Sequence, residues 1–217
     1  GNDAVSIYGT QSNVSNRNYD FGGDVSTSYY KNGLANSKLT WERTQEFNIG
    51  LDFGFFRNRI NGSLDVYQRT SKDLIMERQL PSTTGWTSVW DNIGKVRNTG
   101  LELSINTINV QTSDFSWQTN IIFDTNKNEI LELYGGKKDD IGNKWFIGEA
   151  INVNYDYEFD GIWQTSEADK AAIYGQTPGQ VKVKDQNHDN VIDAKDKVIL
   201  GQQLPKWTGS ITNTFTY

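Results

Sequence analysis

Cysteine is absent from these 217 residues. That removes disulfides, thiolate catalysis and Cys-ligated zinc or iron–sulfur centres. A single histidine, His188, excludes a multi-histidine metal centre and leaves no local Ser/His/Asp pairing. Proline is scarce, 3 residues against 20 glycines, while aromatic residues make up 12%; this balance suits β-structure with turns, not a disordered linker. Positive charge is not in surplus: 21 Lys and Arg stand against 27 Asp and Glu, a net charge of −6 with a pI near 4.9. That argues against a general nucleic-acid binder, which needs a basic face, and against electrostatic adsorption to an anionic leaflet. No stretch approaches the roughly 18 apolar residues of a transmembrane helix. The mean hydropathy of −0.65 says little more, because a transmembrane β-barrel alternates lipid-facing and lumen-facing residues and escapes such averages. Neither GxxxxGK[ST] nor GxGxxG occurs, so no phosphate cradle is indicated. No pair of carboxylates is singled out for glycoside hydrolysis, and the chain reads as a non-enzyme. It starts Gly1-Asn2-Asp3-Ala4, without Met or signal peptide, as a processed or cut terminus would.

What is present is alternation. Residues 1–38 are polar and Ser/Asn/Gly-rich and read as loop with one short hairpin. From Glu46 to Phe55, Phe47, Ile49, Leu51, Phe53 and Phe55 fall on one face and Glu46, Asn48, Gly50, Asp52 and Gly54 on the other, the period-2 pattern of a strand. A turn at Arg57-Asn58-Arg59 leads to a return strand with Ile60, Gly62, Leu64 and Val66 in phase. Leu101, Leu103 and Ile105 begin a third strand. Phe115, Trp117, Thr119, Ile121 and Phe123 mark a fourth, after a turn at 111–114. A fifth runs from about Thr208 to Tyr217, with Ile211, Phe215 and Tyr217 in phase. Their polar faces carry full charges and amides (Glu46, Asp52, Asp65, Glu102, Asn120), as if they always met water. Connections alternate between short (after Phe55 and Asn109) and long (about 74–95 and 127–206), the habit of outer-membrane barrels. A soluble antiparallel sandwich with one wet face fits the pattern equally, and five strands alone cannot close a large barrel. One short surface helix is expected after Ser166-Glu167-Ala168-Asp169, capped at its acidic first turn.

Two further features bear on binding. Asp185 to Asp196 follows the spacing of a twelve-residue EF-hand loop, with oxygen donors from Asp185, Asn187, Asp189, Asp193 and Asp196 and the carbonyl of Val191. A structural Ca²⁺ is the expectation, the alternative being a metal-free Asx turn. Asn190 stands where Gly is usual, and Asp196 is shorter than the usual Glu. His188, at the outward position 4, reads as solvent-exposed. Trp145, Phe146, Tyr155, Tyr157, Phe159 and Trp163 cluster in the long loop. The reading favoured for them is a mini-core that pins the loop. Trp145, Tyr155, Tyr157 and Trp163 are the weaker candidates for ligand contact.

Several of these runs then resemble one family. Leu39-Thr40-Trp41-Glu42 through Phe47-Asn48-Ile49-Gly50-Leu51-Asp52, Asn92-Ile93-Gly94-Lys95-Val96-Arg97-Asn98-Thr99-Gly100-Leu101-Glu102, Asp160-Gly161-Ile162-Trp163-Gln164, and Pro178-Gly179-Gln180 through Asp196 to Pro205-Lys206-Trp207-Thr208-Gly209 are similar to conserved-order motifs of the SusC/RagA TonB-dependent transporters of Bacteroidetes. The resemblance implies an all-β fold, namely a segment of a large antiparallel transmembrane β-barrel with long extracellular loops. On that reading 1–38 is a variable extracellular loop and 39–126 holds two barrel hairpins with an extracellular loop at about 74–95. Residues 127–206 form a long extracellular loop containing the calcium loop 185–196, and 207–217 is a further barrel strand of a longer chain. It further implies TonB-dependent import of oligosaccharides or peptides across the outer membrane of a Gram-negative, Bacteroidetes-like cell. The implied partners are a SusD-like surface lipoprotein, outer-membrane lipid, and TonB acting through a plug domain that these residues lack; nucleic acid is not among them. The alternative function is a secreted, soluble β-sandwich that binds glycans and carries a structural calcium loop.

Overall fold

The structure is a computed structural model and describes residues 14–217; the expectation for 1–38 therefore lies partly outside the described residues. In chain order the strands are β1 (Val14–Phe21), β2 (Asp24–Lys31), β3 (Arg43–Phe55), β4 (Ile60–Gln79), β5 (Ser88–Gln111), β6 (Ser116–Leu133), β7 (Val153–Tyr157), β8 (Phe159–Ile162), β9 (Val181–Val183), β10 (Lys197–Gln202) and β11 (Trp207–Thr216), with one α-helix, α1 (Ala168–Ile173). β1 and β2 form a hairpin, as expected for one within 1–38. The five strands read from the alternation form one antiparallel sheet, ordered β11-β6-β5-β4-β3. Two compact units result. One comprises the chain up to Ile151 together with Lys206–Tyr217, and the other is Asn152–Pro205.

The ladder places the rows as the period-2 argument requires. Residues directly opposite in an antiparallel pair share a face. Ile49 opposes Val66, Val66 opposes Leu101, Leu101 opposes Thr125 and Thr125 opposes Trp207. Two residues along, Leu51, Leu64, Leu103, Phe123 and Gly209 make the next row, and Phe53, Gly62, Ile105, Ile121 and Ile211 the one after. The apolar rows of all five strands thus lie on a single face.

The strands are longer than the alternation alone indicates. β4 runs on to Gln79 and β5 begins at Ser88, so the connection is 80–87, not 74–95. β6 continues past Asn126 to Leu133. The physical reason is a change of phase. Beyond the rows of Phe47 and Thr99 the outward positions become polar (Thr70, Lys72, Lys95, Arg97), while the opposite face turns apolar. Met76, Ile93, Val96, Ile130 and Leu133, each under 9% exposed, form the hydrophobic cluster there. Leu74, Trp145, Ile147 and Ile151 pack against it. The segment after β6 thus folds back over that face, and Ile147 forms a parallel bridge with Ile130.

The second unit has its own frame. β7 pairs with β10 and β8 with β9, both antiparallel. The expected helix is present as α1, but its start differs. A 3₁₀ turn, Thr165–Glu167, precedes it, and the reciprocal capping contacts join Gln164 and Glu167. Ser166 lies inside that turn, and Glu167, not Ser166, stands at the N-cap of α1.

Candidate functional site

The sheet offers two faces of opposite chemistry. Outward, Phe47, Leu51, Phe55, Ile211 and Phe215 are each more than 55% exposed. A soluble protein does not leave so large a contiguous apolar surface bare. The band has a height. Phe47 to Phe55 spans nine residues, about 30 Å at 3.3–3.4 Å per residue and about 21 Å once tilted near 45°, close to the ~25 Å apolar band of a barrel. Aromatic rings gather at one end, where Phe215 stacks with Phe115 and Trp117 at 6.5 and 5.6 Å and Phe53 lies 5.7 Å from Phe55. Within the band, Phe123 stacks on Trp207 at 6.2 Å. Rings gathered at the edge of an apolar band are the habit of a membrane barrel's girdle.

The inner face is hydrophilic. Arg69 pairs with Glu46, Nε and Nη2 at 2.9 and 2.8 Å from one carboxylate oxygen. Asp65, Glu102 and Asp124 occupy one row, and Thr208 donates to Asp124. Amide pairs tie neighbouring strands, Asn120 to Asn106 at 2.7 Å and Asn128 to Asn98 at 2.9 Å. Glu46, Asp65, Tyr67, Arg69, Glu102 and Asn126 line a concavity of about 590 Å³. Tyr67 leans over Gly100, where a Cβ would lie 2.5 Å from the ring and from the Thr125 carbonyl. The lack of a side chain at 100 is what lets the ring lie against the sheet. This surface can hydrate, hydrogen-bond and repel anions.

Where the strands leave the band, the motif residues meet. The Asn92 amide accepts from Thr40 N–H at 2.7 Å and donates to the carbonyls of Thr40 and Asp73 at 3.0 and 2.6 Å. Glu42 accepts the Ile75 N–H at 3.0 Å, where the β4–β5 register shifts. Spacing alone gave no sign of this clamp, because its partners lie about fifty residues apart.

The acidic loop 185–196 is wound on its own side chains. Asp185 accepts from His188 N–H at 2.6 Å and Asn190 N–H at 2.8 Å, and from the Tyr174 hydroxyl at 3.3 Å. Burial raises the Asp185 pKa, but these donors outweigh it and hold the carboxyl below its ordinary value; burial and the Asp185 charge push the Tyr174 hydroxyl up. Asp196, fully buried, accepts from Gln186 and Asp193 N–H groups at 2.9 and 2.8 Å. Asn187, Asp189 and Asp193 each accept the N–H two residues on. His188 and Asn190 take left-handed φ of 61° and 64°, a conformation Asn tolerates better than most residues. The donors are all hard oxygens, the chemistry calcium selects. Among the described residues, however, no three acidic or histidine side chains come together as a metal group. Lys195 stands 3.4 Å from Asp193 and 4.0 Å from Asp189.

The aromatic candidates fall in both units. Trp145 packs on the cluster of the first unit. Trp163 is buried, stacks on Tyr174 at 5.8 Å, lies 5.0 Å from the Lys182 ammonium and donates to Gln176 at 2.5 Å. Lys182 is in turn held 3.0 Å from Asp160 and 3.5 Å from Glu167. Tyr157 sits beneath Lys197 at 4.8 Å, and Tyr155 opposes Ile199 on β10; both rings are half-buried.

Comparison with known proteins bears on the whole sheet. The family described as "TonB dependent receptor-like, beta-barrel" matches residues 2–217. A TonB-dependent receptor of Formosa agariphila, P26, is 32% identical over all of the chain, and SusC of Bacteroides thetaiotaomicron is 34% identical over 83% of it. The chain spans 23% and 18% of their respective lengths. Among solved structures, the RagAB peptide transporter superposes with a TM-score of 0.76 at 26% identity, over 97% of this chain and 23% of that one.

Proposed function

The chain belongs to the TonB-dependent receptor-like β-barrel family and is SusC/RagA-like; from that premise we propose that it forms one arc of a transporter wall that imports oligosaccharides or peptides across the outer membrane of a Gram-negative, Bacteroidetes-like bacterium. The observation that carries the proposal is the division of the five-strand sheet into an exposed apolar outward face and a charged, amide-rich inner face. On this reading the short turns at 56–59 and 112–115 face the periplasm, and the connections 80–87 and 134–206 face outside. The inner carboxylates and amides serve as wall, not as catalysts. An outer membrane holds no ATP, so work arrives through TonB and a plug domain, and a SusD-like surface lipoprotein captures ligand above the barrel. A soluble glycan-binding sandwich is not favoured, since among the described residues of the first unit none covers the outward rows.

We also propose that the loop 185–196 takes a structural Ca²⁺ held by Asp185, Asn187, Asp189, Asp193, Asp196 and the Val191 carbonyl, which would fix the loop and catalyse nothing. Its test is limited proteolysis. Chelation is expected to speed cleavage near residue 190 without unfolding the barrel strands; equal cleavage with and without calcium, with Asp185→Ala behaving as the parent, leaves a hydrated turn.

The transport reading is tested by expressing the complete transporter that carries these strands in its membrane. Recovery in the outer-membrane fraction, extraction only with detergent, and loss of uptake of labelled oligosaccharide or peptide on gene deletion are expected. Recovery in the soluble fraction without detergent overturns it.

A further inference from the structure

The acidic loop 185–196 carries its carboxylates in two pairs that are held in different ways. Asp185 and Asp196, the first and last candidate ligands, are buried, and both oxygens of each accept main-chain N–H groups. Asp189 and Asp193 are more open to solvent. One oxygen of each accepts a main-chain N–H, from Val191 and Lys195. The other oxygen faces the Lys195 ammonium, at 4.0 Å from Asp189 and 3.4 Å from Asp193. The Asn187 amide also donates to that Asp189 oxygen, at 2.9 Å. The lysines that flank the loop are engaged elsewhere, Lys184 with Glu158 at 3.2 Å and Lys197 with Asp156 at 3.3 Å. Lys195 itself sits on the 3₁₀ turn Ala194–Asp196, between two of the candidate ligands. Its side chain is 70% exposed, so the ammonium can swing into solvent without opening a core.

We infer that Lys195 is a built-in competitor of the divalent ion: its ammonium neutralises Asp189 and Asp193 until calcium draws the same two side chains inward and releases it. This rests on the calcium reading above. The donor set suits that ion, since every candidate ligand offers oxygen. Carboxylates crowded into one short loop repel one another unless a cation lies among them. Gathering Asp189 and Asp193 at ligand distances of about 2.3–2.6 Å would set a doubly charged ion against the ammonium, and the two cations exclude each other. The exchange is easy on the lysine side, because an exposed ion pair is weak. A cation therefore stands beside the middle aspartates with or without calcium, and the affinity for calcium is lowered by a charge on the chain itself. The competition is electrostatic between exposed groups, so salt screens it.

The test uses the complete transporter in detergent, with free Ca²⁺ fixed by buffers and cleavage near residue 190 read by mass spectrometry. In chelator, Lys195→Gln is expected to be cut faster than the parent, and Lys195→Arg at the parental rate. As calcium is raised, Lys195→Gln is expected to reach half-protection at about five-fold less free Ca²⁺ than the parent. Lys195→Arg is expected to need the parental level. The gap between parent and Lys195→Gln should narrow in about 1 M KCl, which loss of a merely structural contact would not produce. Heat-dependent gel mobility reports that each variant is a folded barrel. Half-protection of Lys195→Gln at the parental calcium level overturns the competition, as does a gap that salt leaves unchanged or equal cleavage of the two in chelator. Absence of calcium protection in both the parent and Lys195→Gln would instead sink the calcium reading on which the competition depends.

Discussion

The amide of Asn92 holds both main-chain groups of Thr40 and a carbonyl at the β4 irregularity. Asn92→Ala removes three hydrogen bonds worth about 1 kcal/mol each net, so the start of β3 is expected to loosen by roughly 2–3 kcal/mol. Amide hydrogen exchange at Thr40 and Ile75 should rise together, whereas exchange along Leu51–Phe55 should not change. A second residue-scale expectation concerns acid. Asp185 and Asp140 both titrate below their ordinary value. In each, burial raises the pKa but is outweighed by donors: Asn190, His188 and Tyr174 for Asp185, and Tyr134 and Asn143 for Asp140. A depressed folded pKa contributes stability that is present above the unfolded value and lost as pH falls through the folded one. Both loops are therefore expected to hold at neutral pH and to open only below the ordinary carboxylate range, read as protease cleavage in 134–143 and 185–196. Tyr134, pushed up to about 12 by burial and by the Asp140 carboxylate, stays protonated throughout. At this scale the sequence showed the spacing of the acidic loop but not its Tyr174 partner, because the hydroxyl comes from a helix end eleven residues away.

The strands make their predictions by face. Leu51 sits mid-band on the outward side and Asp52 on the inner side, one residue apart. Leu51→Arg is expected to cost membrane assembly about 2–4 kcal/mol, and Asp52→Asn to leave it intact. Folded-barrel yield in lipid measures both, and equal damage from the two contradicts the assigned faces. Gly100→Val should drive Tyr67 off the sheet and oppose the Thr125 carbonyl, lowering the unfolding midpoint by the equivalent of about 1–3 kcal/mol. All five barrel strands were legible in the sequence, since Phe47–Phe55, Ile60–Val66, Leu101–Ile105, Phe115–Phe123 and Ile211–Tyr217 each keep strict phase. Their extensions were not. Past Thr99 and Asn126 the apolar residues move to the other face, as Val96 and Ile130 do, and bulges near Leu74 and Lys95 break the period.

At the scale of the molecule the sheet has two bare edges, β3 and β11, so closure belongs to neighbours along a longer wall. Family membership was legible from motif order, because those motifs mark places where distant segments clamp, as Thr40 and Asn92 do. The division at Asn152 and Pro205 was less so, since the aromatic residues of 145–163 serve two separate cores. One consequence concerns time. β11 must find β6 across residues 134–206, the most non-local pairing of the first unit, and such contacts set folding rates. The second unit brings its own ends together, with Val153 opposite Gln202 and Gln203 N–H bonded to the Asn152 carbonyl at 3.1 Å. Once it has folded, the span to be closed shrinks to about a quarter, a saving of roughly 1 kcal/mol in closure entropy. The second unit thus shortens the loop that β11 must close, by holding its own ends together. Destabilising it at Trp163 should slow insertion of β11 while leaving the finished wall unchanged, a difference that stopped-flow assembly into vesicles would resolve.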